Sequence, residues 1–430
     1  MKLFIHTLGC KVNQYESQAV AEKFMAIGAE ITNDYSSADI ILVNSCTVTA
    51  ESSRKTRQAV RKYRKANPQA VIILSGCMTS AFPKTAHELP EANIIIGNNS
   101  YSDIIDIYKR FTDSDSSQLI EIKEHQKGEE IEQLKISSFN ERTRAYIKVQ
   151  DGCNRFCSYC AIPYARGRVR SRNIDEIYNE AAILSKNGYK EIVLVGINLT
   201  SYGSDTDKNL CDVVECIAKI PEIERIRFGS IEPDHITDEY LERLAKVDKF
   251  CPQFHLSLQS GCDKTLKDMN RHYDTTFYAD LVKRIRAKFD NSAITTDIMV
   301  GFAGESDEDF ASSLSFCESI GFARMHVFAY SKREGTRAYD FSGHISNAVK
   351  EARSKQMTEV AIKNEAAFLK TQIGKTVNVL FEQLENGKWY GYSENYSKVV
   401  VNSCHDLNNE ILPVIITKSF NDHCEGELAK

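Results

Sequence analysis

Cysteines 153, 157 and 160 form the run Cys-Asn-Arg-Phe-Cys-Ser-Tyr-Cys, directly after an apolar stretch that reads as a strand. Three thiolates on one tight loop suit a cubane iron–sulfur cluster, because soft ligands select iron and sulfide. Only three are supplied locally, so one iron lacks a cysteine. An iron open to a further ligand is what a chemical cluster needs, as opposed to one that only passes electrons. Zinc is the alternative, but zinc loops show paired knuckles, and no second pair lies at a suitable distance.

The chain has thirteen cysteines, an odd number. Its N-terminus, Met-Lys-Leu-Phe-Ile-His-Thr, lacks the apolar core and small-residue cleavage site of a secretory leader. No apolar run approaches the roughly 18 residues of a membrane helix. A cytoplasmic, reducing setting is therefore expected, with no membrane and no disulfide framework. At 430 residues the chain predicts two or three domains, and 42% hydrophobic residues are enough for packed cores. The net charge of -5 means that any field attracting nucleic acid must be local.

Residues 1–112 alternate strand and helix signals, with strands at 2–7, 40–44, 71–75 and 93–96 and helices at 15–27 and 51–66. This predicts an N-terminal parallel α/β domain. Residues 113–140 are polar and charged and read as a linker, with a short strand at 119–122. In 141–370 six strand signals, at 145–150, 191–195, 225–229, 254–258, 295–300 and 325–330, alternate with helices, so a partial (β/α)6 barrel is expected. Helix 348–372 follows. In 371–430 the period shortens to strands at 377–381, 389–394, 398–401 and 414–419, as in a small antiparallel β-barrel.

Cys10, Cys46 and Cys77 each follow an inferred parallel strand. Loops at that edge of a parallel sheet converge on ligands, so these thiols could cap a second cluster. Burial as three small strand-end residues is the alternative. Gly9 and Gly76, which permit close backbone approach, favour the cluster.

The 153–160 run, with Tyr159 before the last cysteine, resembles the signature of radical S-adenosylmethionine (SAM) enzymes. That resemblance implies a [4Fe–4S] cluster whose open iron chelates SAM, and a 5′-deoxyadenosyl radical. The partial barrel is also that superfamily's fold. Thr7–Ser17 as Thr-Leu-Gly-Cys-Lys-Val-Asn-Gln-Tyr-Glu-Ser, Asn-Ser-Cys-Thr-Val at 44–48 and Ser-Gly-Cys-Met at 75–78 resemble the methylthiotransferases. So do Gln-Ser-Gly-Cys-Asp at 259–263, Met-Asn-Arg at 269–271 and Thr-Asp-Ile-Met-Val-Gly-Phe-Ala-Gly-Glu at 296–305. Ala303 stands where that family usually has proline. Gly-Cys-Lys-Val-Asn-Gln-Tyr-Glu and Tyr-Ser-Lys-Arg-Glu-Gly-Thr at 330–336 are most similar to the branch that modifies N6-threonylcarbamoyladenosine in tRNA. Other branches act on isopentenyladenosine or on an aspartate of a ribosomal protein.

The resemblance implies two [4Fe–4S] clusters, on Cys10, Cys46 and Cys77 and on Cys153, Cys157 and Cys160, and two SAM molecules. It also implies methylthio transfer to C2 of the adenine beside the anticodon. The implied partners are the tRNA anticodon loop, an electron donor of flavodoxin or ferredoxin type, and a sulfur source. The residues expected to touch SAM are Tyr159 and the barrel strand ends Gly196, Asn198, Glu232, Ser257, Gln259 and Gly301. Gln259 precedes Ser260-Gly261-Cys262.

Arg166, Arg168, Arg170 and Arg172 alternate, and no acid lies between Asp151 and Asp175. In extended chain they share one face and would form a phosphate track beside the cluster loop, unless they pair with acids instead. The basic stretch 54–65 reads as a solvated helix face. The C-terminal barrel resembles the RNA-binding TRAM module, yet 371–430 hold five Lys, no Arg and eight acids. Its RNA contacts would have to come from stacking by Trp389, Tyr390, Tyr392 and Tyr396, although core packing is the commoner role. The seven remaining cysteines form no ligand pattern and read as core or incidental.

Overall fold

The computed structural model describes residues 1–139 and 143–429. The boundary expected at 140–141 and the last residue, Lys430, lie outside the described residues. Strands β1 (Lys2–Thr7), β2 (Glu30–Ile31), β3 (Ile40–Ser45), β4 (Val71–Gly76), β5 (Ile94–Ile96) and β6 (Leu119–Glu121) form one sheet. Its order is β2-β1-β3-β4-β5-β6, and every pair is parallel. β3 is buried along its whole length, as a central parallel strand covered on both faces must be. Its side chains alternate accordingly. Ile40 and Leu42 pack with Val12 and Phe24 of helix Lys11–Ala26. Ile41 and Val43 pack with Val60 and Tyr63 of helix Ala50–Ala66.

The polar stretch 113–140 does more than connect. β6 extends the sheet, and Ile131, Leu134, Ile136 and Phe139 are buried. Their spacing follows neither helix nor strand, which hid them among the charged residues.

The second unit runs through β7 (Arg144–Lys148), β8 (Gln150–Asp151), β9 (Arg170–Ser171), β10 (Glu191–Val195) and β11 (Arg225–Phe228). It continues with β12 (Ser230–Ile231), β13 (Gln253–Leu256), β14 (Ala293–Val300) and β15 (Arg324–Ala329). Two parallel sheets, β11-β10-β7 and β12-β13-β14-β15, follow one another across Gly229, which separates β11 from β12. Together they make the expected six-strand partial barrel. β8 and β9 form a short antiparallel pair beside it.

Five strands close the C-terminal barrel: β16 (Thr376–Glu385), β17 (Lys388–Ser393), β18 (Lys398–Asn402), β19 (Ile411–Ser419) and β20 (Cys424–Leu428). The pairs are antiparallel except β18 with β20. β20, Cys-Glu-Gly-Glu-Leu, carries no apolar alternation and was not expected. Gly426 admits it, since a Cβ there would lie 2.6 Å from the Ile415 carbonyl oxygen.

This barrel docks on the N-terminal strand ends of the partial barrel. Arg225 donates to the carbonyls of Asn378 (2.6 Å) and Tyr392 (3.0 Å), and Arg227 to that of Glu394 (2.8 Å). The rings of Tyr392 and Tyr396 stack 4.7 Å apart, with the Arg144 guanidinium 4.9 Å from both. Trp389 is buried, and its Nε1–H donates to the His405 carbonyl at 2.9 Å. Lys398 lies 4.6 Å over Tyr390. Three of the four aromatics considered for base stacking thus hold the fold together, and the fourth carries a lysine. Among the described residues no helix is long and apolar enough to cross a membrane.

Arg227 is fully buried against Glu191 (3.0 Å), whose carboxyl burial would raise but Arg227, Arg144 and Arg225 pull down to about 2. Breaking such a pair strands a buried charge. Arg227→Ala is therefore expected to destabilise the chain by about 3–5 kcal/mol. Thermal unfolding followed by circular dichroism checks this, and an unchanged midpoint would contradict it.

Candidate iron–sulfur centres

The 153–160 loop leaves β8 at Gly152, whose φ is +74°. A Cβ there would fall 1.8 Å from the Arg168 carbonyl oxygen, so only glycine lets the loop pass so close to that segment. The Cys153 N–H donates to the Gly167 carbonyl and the Ser158 N–H to that of Met269, both at 3.0 Å. Asn270 donates to the carbonyls of Arg155 and Phe156, 3.2 Å each. Donors also reach the sulfurs. The Arg155 N–H lies 3.5 Å and Asn198 Nδ2 3.8 Å from Cys153 Sγ, and Arg271 Nη1 lies 3.3 Å from Cys157 Sγ. Hydrogen bonds of this kind tune iron–sulfur ligands.

Arg271 is the hub of this site. It pairs with Glu232, donates to the Ser257 carbonyl at 3.1 Å, and lies over the Tyr273 ring. Asn198, Glu232 and Ser257, expected from strand ends, are thus drawn round Cys153 and Cys157. Gly196 makes room for Gln150: a Cβ would sit 2.8 Å from its Oε1, which accepts the Asn198 N–H at 2.9 Å. Tyr159 lies edge-on to Phe302, centroids 6.3 Å apart. Gln259 holds φ +72°, its backbone tied to Asp297 and Met299. Gly301 holds φ +70°. Its N–H donates to Glu305 (2.7 Å), and a Cβ would meet Lys350 Cγ at 2.5 Å. Its freedom accommodates the helix Asn347–Lys370.

The second triplet also assembles. Gly9 (φ +106°) lets Cys46 close in, with Cys46 Sγ 3.2 Å from where a Cβ would stand. The thiols of Cys10 and Cys77 both donate to Asn13 Oδ1, at 3.8 and 3.9 Å. The Val48 N–H lies 3.5 Å from Cys46 Sγ, and Arg166 Nε lies 3.2 Å from Cys77 Sγ. Among the described residues no three His, Cys, Asp or Glu side chains close on a point as a single metal ion would require. The sulfurs stand in two looser groups.

The family description "Radical SAM superfamily" matches residues 147–317, and "Uncharacterized protein family UPF0004" matches residues 2–97. A Bacillus subtilis protein named threonylcarbamoyladenosine tRNA methylthiotransferase MtaB is 33% identical, over 99% of this chain and 96% of that one. Its namesake from Chlamydia pneumoniae is 38% identical over 91% of this chain and 89% of that one. The chain belongs to the radical SAM methylthiotransferases, in the MtaB branch. A Clostridium novyi protein named tRNA-2-methylthio-N(6)-dimethylallyladenosine synthase is 34% identical over 99% of this chain and 96% of that one. The radical SAM methyltransferase TsrM of Kitasatospora setae shares the fold, with TM-score 0.60, 12% identity, and coverage of 79% of this chain and 74% of that one.

Membership implies SAM and a [4Fe–4S] cluster, and the donor set at Cys153, Cys157 and Cys160 fits it chemically. The surroundings of the other triplet fit an anionic group as well. Arg333 is only 7% exposed, and Nη2 donates to Thr47 (2.8 Å) and Ser53 (3.0 Å). Its Nε has no partner, and it makes no carboxylate pair among the described residues. A cluster on thiolates at Cys46 and its neighbours would supply the missing negative charge.

The arginine row of the methylthiotransferase is not the expected phosphate track. Arg166 ends the helix Ile162–Arg166 and is fully buried, bonded to Glu16 (2.7 Å), Asp151 (3.1 Å) and Asn13 (2.9 Å). Arg170 pairs with Glu129 at 2.8 Å, and Arg172 pairs with Glu180. Acids outside the row take three of the four. Arg168 stays exposed, its guanidinium 4.7 Å over Phe156, beside a cleft of about 1200 Å³ shared with Tyr164 and Lys127. Asn13, Gln150, Arg271 and Arg333 were missed as working residues. For three of them the available signal was their place in motifs: Asn13 is the sixth residue of Leu-Gly-Cys-Lys-Val-Asn, Arg271 ends Met-Asn-Arg, and Arg333 is in Tyr-Ser-Lys-Arg-Glu-Gly-Thr.

Burial pushes the Cys77 thiol up to about 12 despite Arg166, and raises Cys10, Cys153 and Cys160 too. In the metal-free chain these thiols are protonated at neutral pH, so metal uptake releases protons. Cys77 and Cys160 are therefore expected to alkylate far more slowly than exposed Cys404. Peptide mass spectrometry after iodoacetamide checks this, and equal labelling would contradict it.

Proposed function

We propose that the enzyme inserts a methylthio group at C2 of N6-threonylcarbamoyladenosine next to the anticodon of tRNA. It uses [4Fe–4S] clusters at Cys153, Cys157 and Cys160 and at Cys10, Cys46 and Cys77, with two SAM molecules, a sulfur source and a flavodoxin- or ferredoxin-type reductant. The observation that carries this reading is Arg166. It lies six residues beyond Cys160, yet its Nε meets the Cys77 sulfur at 3.2 Å. That contact supports a single site for both triplets, as transfer between a sulfur carrier and a radical source requires. The relatives named MtaB support the nucleoside, and those named dimethylallyladenosine synthase define the second candidate.

When bound, the two clusters with SAM supply a 5′-deoxyadenosyl radical and a methylated sulfur. An aromatic C–H resists acid–base chemistry, so both are needed. The chain's part is placement. Arg271 braces Cys157 while Glu232 balances its charge, and Asn198 steadies Cys153. Arg166 and Asn13 hold Cys77 and Cys10.

In a deletion strain, tRNA nucleosides are expected to lack the 2-methylthio derivative of threonylcarbamoyladenosine and to keep that of isopentenyladenosine. Mass spectrometry decides, and the opposite pattern selects the second candidate. After anaerobic reconstitution the chain should bind about eight irons, and Cys46→Ala about four. Cys157→Ala should form no 5′-deoxyadenosine.

A further inference from the structure

Tyr164 and Arg166 stand two residues apart on the short helix Ile162–Arg166, about 200° round its axis. Arg166 is fully buried and reaches the Cys77 sulfur, whereas Tyr164 is 51% exposed. Tyr164 thus stands on the side of the helix away from the second triplet, at the cleft of about 1200 Å³. That volume exceeds the roughly 300–1,000 Å³ usual for a small ligand. The walls are tied together. His125, from the segment after β6, lies with its Nε2 3.0 Å from the Ala165 carbonyl of the same helix. Gly167 (φ +67°) makes room for it, since a Cβ there would fall 2.8 Å from His125 Cβ and Cγ.

Aromatic and cationic groups share this cleft. Phe156 lies edge-on to Tyr164, with ring centroids 5.8 Å apart, and carries the Arg168 guanidinium at 4.7 Å. Phe156 holds φ +48°, a conformation that bulky residues rarely adopt, and Asn270 fixes its carbonyl. Arg168 is otherwise exposed. Among the described residues lining the cleft, Glu124 is the one acid, against Lys123, Lys127 and Arg168. A guanidinium laid on a ring, beside an exposed tyrosine, is a surface on which an unpaired base stacks. The neighbouring cations suit its phosphates. The length scale agrees. A helix with its side chains is about 10–12 Å across, and a stacked strand rises about 3.4 Å per nucleotide. A base in the cleft would therefore lie within about three nucleotides of one placed at the sulfurs.

We propose that this cleft binds an unpaired base flanking the target adenosine, stacked on Tyr164 and on the Arg168–Phe156 pair. This rests on the tRNA substrate proposed above. An acidic electron carrier is the other partner that a cationic surface beside the 153–160 loop would attract. The concave shape and the exposed ring favour the base.

The test uses reconstituted full-length enzyme and fluorescein-labelled anticodon stem-loop RNAs bearing threonylcarbamoyladenosine. One RNA is intact, and each of the others has a single abasic site within three nucleotides of the target. Fluorescence anisotropy gives Kd. At one abasic position the wild type should lose roughly 5- to 150-fold in affinity. Tyr164→Ala should lose that much on the intact RNA and no more at that position. Tyr164→Phe should keep the wild-type pattern, which controls for folding. Arg168→Gln should weaken binding and lower the salt slope by roughly one. If no abasic position couples to Tyr164, the assignment is overturned. It is also overturned if Tyr164→Ala and Arg168→Gln spare RNA affinity but slow reduction of the enzyme by reduced flavodoxin, which gives the cleft to the carrier. Methylthiolation is followed on the same RNAs. Coupling without methylthiolation faults the nucleoside reading and supports the cleft, whereas methylthiolation without coupling faults the cleft alone.

Discussion

The buried guanidinium of Arg166 sets how the two halves of the enzyme meet. It touches Cys77 and Asn13 from one unit, Glu16 from the helix behind them, and Asp151 at the root of the radical SAM loop. Lys148 joins from β7, 2.7 Å from Glu16 and 2.6 Å from Asp151. Burial alone would raise the Asp151 carboxyl, but Lys148, Arg166 and Arg170 hold it well below the usual carboxylate range. Neither unit could bury its share of these charges alone, since Glu16 belongs to one while Lys148 and Arg166 belong to the other. Pulling the units apart would strand several ions, at about 3–5 kcal/mol for each broken pair. The spacing of the two cysteine triplets thus follows from electrostatics that tolerates little displacement.

That dependence explains what could be read from the chain and what could not. Strand–helix order and the placing of cysteines after strands are local, and the six barrel strands and the strand-end position of these cysteines were legible. In the arginine row a period of two suggests extended chain. Pro163 instead starts a helix that turns Arg166 inward. Glu16 meets Arg166, Glu129 meets Arg170 and Glu180 meets Arg172; these acids come from three separate segments, and no local pattern announces such pairing. β20 stayed hidden for a related reason: its stability lies in closure of the barrel, not in its own composition.

The acidic C-terminal barrel makes sense in the same terms. Its charge looked unsuited to RNA, but part of it serves the contact with the partial barrel. Glu382 meets Arg144 and Glu410 meets Lys190 across that contact, while Glu425 meets Lys388 within the small barrel. Carbonyls at Asn378, Tyr392 and Glu394 receive Arg225 and Arg227. Acids and stacked tyrosines are what a row of arginines at strand ends needs to be buried. Composition recorded the demands of an internal interface and said little about the external partner.

The two triplets also differ in electrostatic surroundings, in a way that suits the proposed division of labour. At Cys157 the charge of Arg271 is cancelled by Glu232. At Cys46 the buried Arg333 has no acid among the described residues, and at Cys77 Arg166 adds a second guanidinium, though one shared with two carboxylates. Local positive charge and N–H donors to sulfur stabilise the more negative state of an iron–sulfur group. A group at Cys10, Cys46 and Cys77 is therefore favoured to retain negative charge, as a carrier of anionic sulfur should. A group at Cys153, Cys157 and Cys160 gains less from its surroundings and gives up an electron more readily, as cleavage of a sulfonium demands. On the proposed reading, a difference in counter-charge is what would let one chain keep two similar cysteine triplets in different roles.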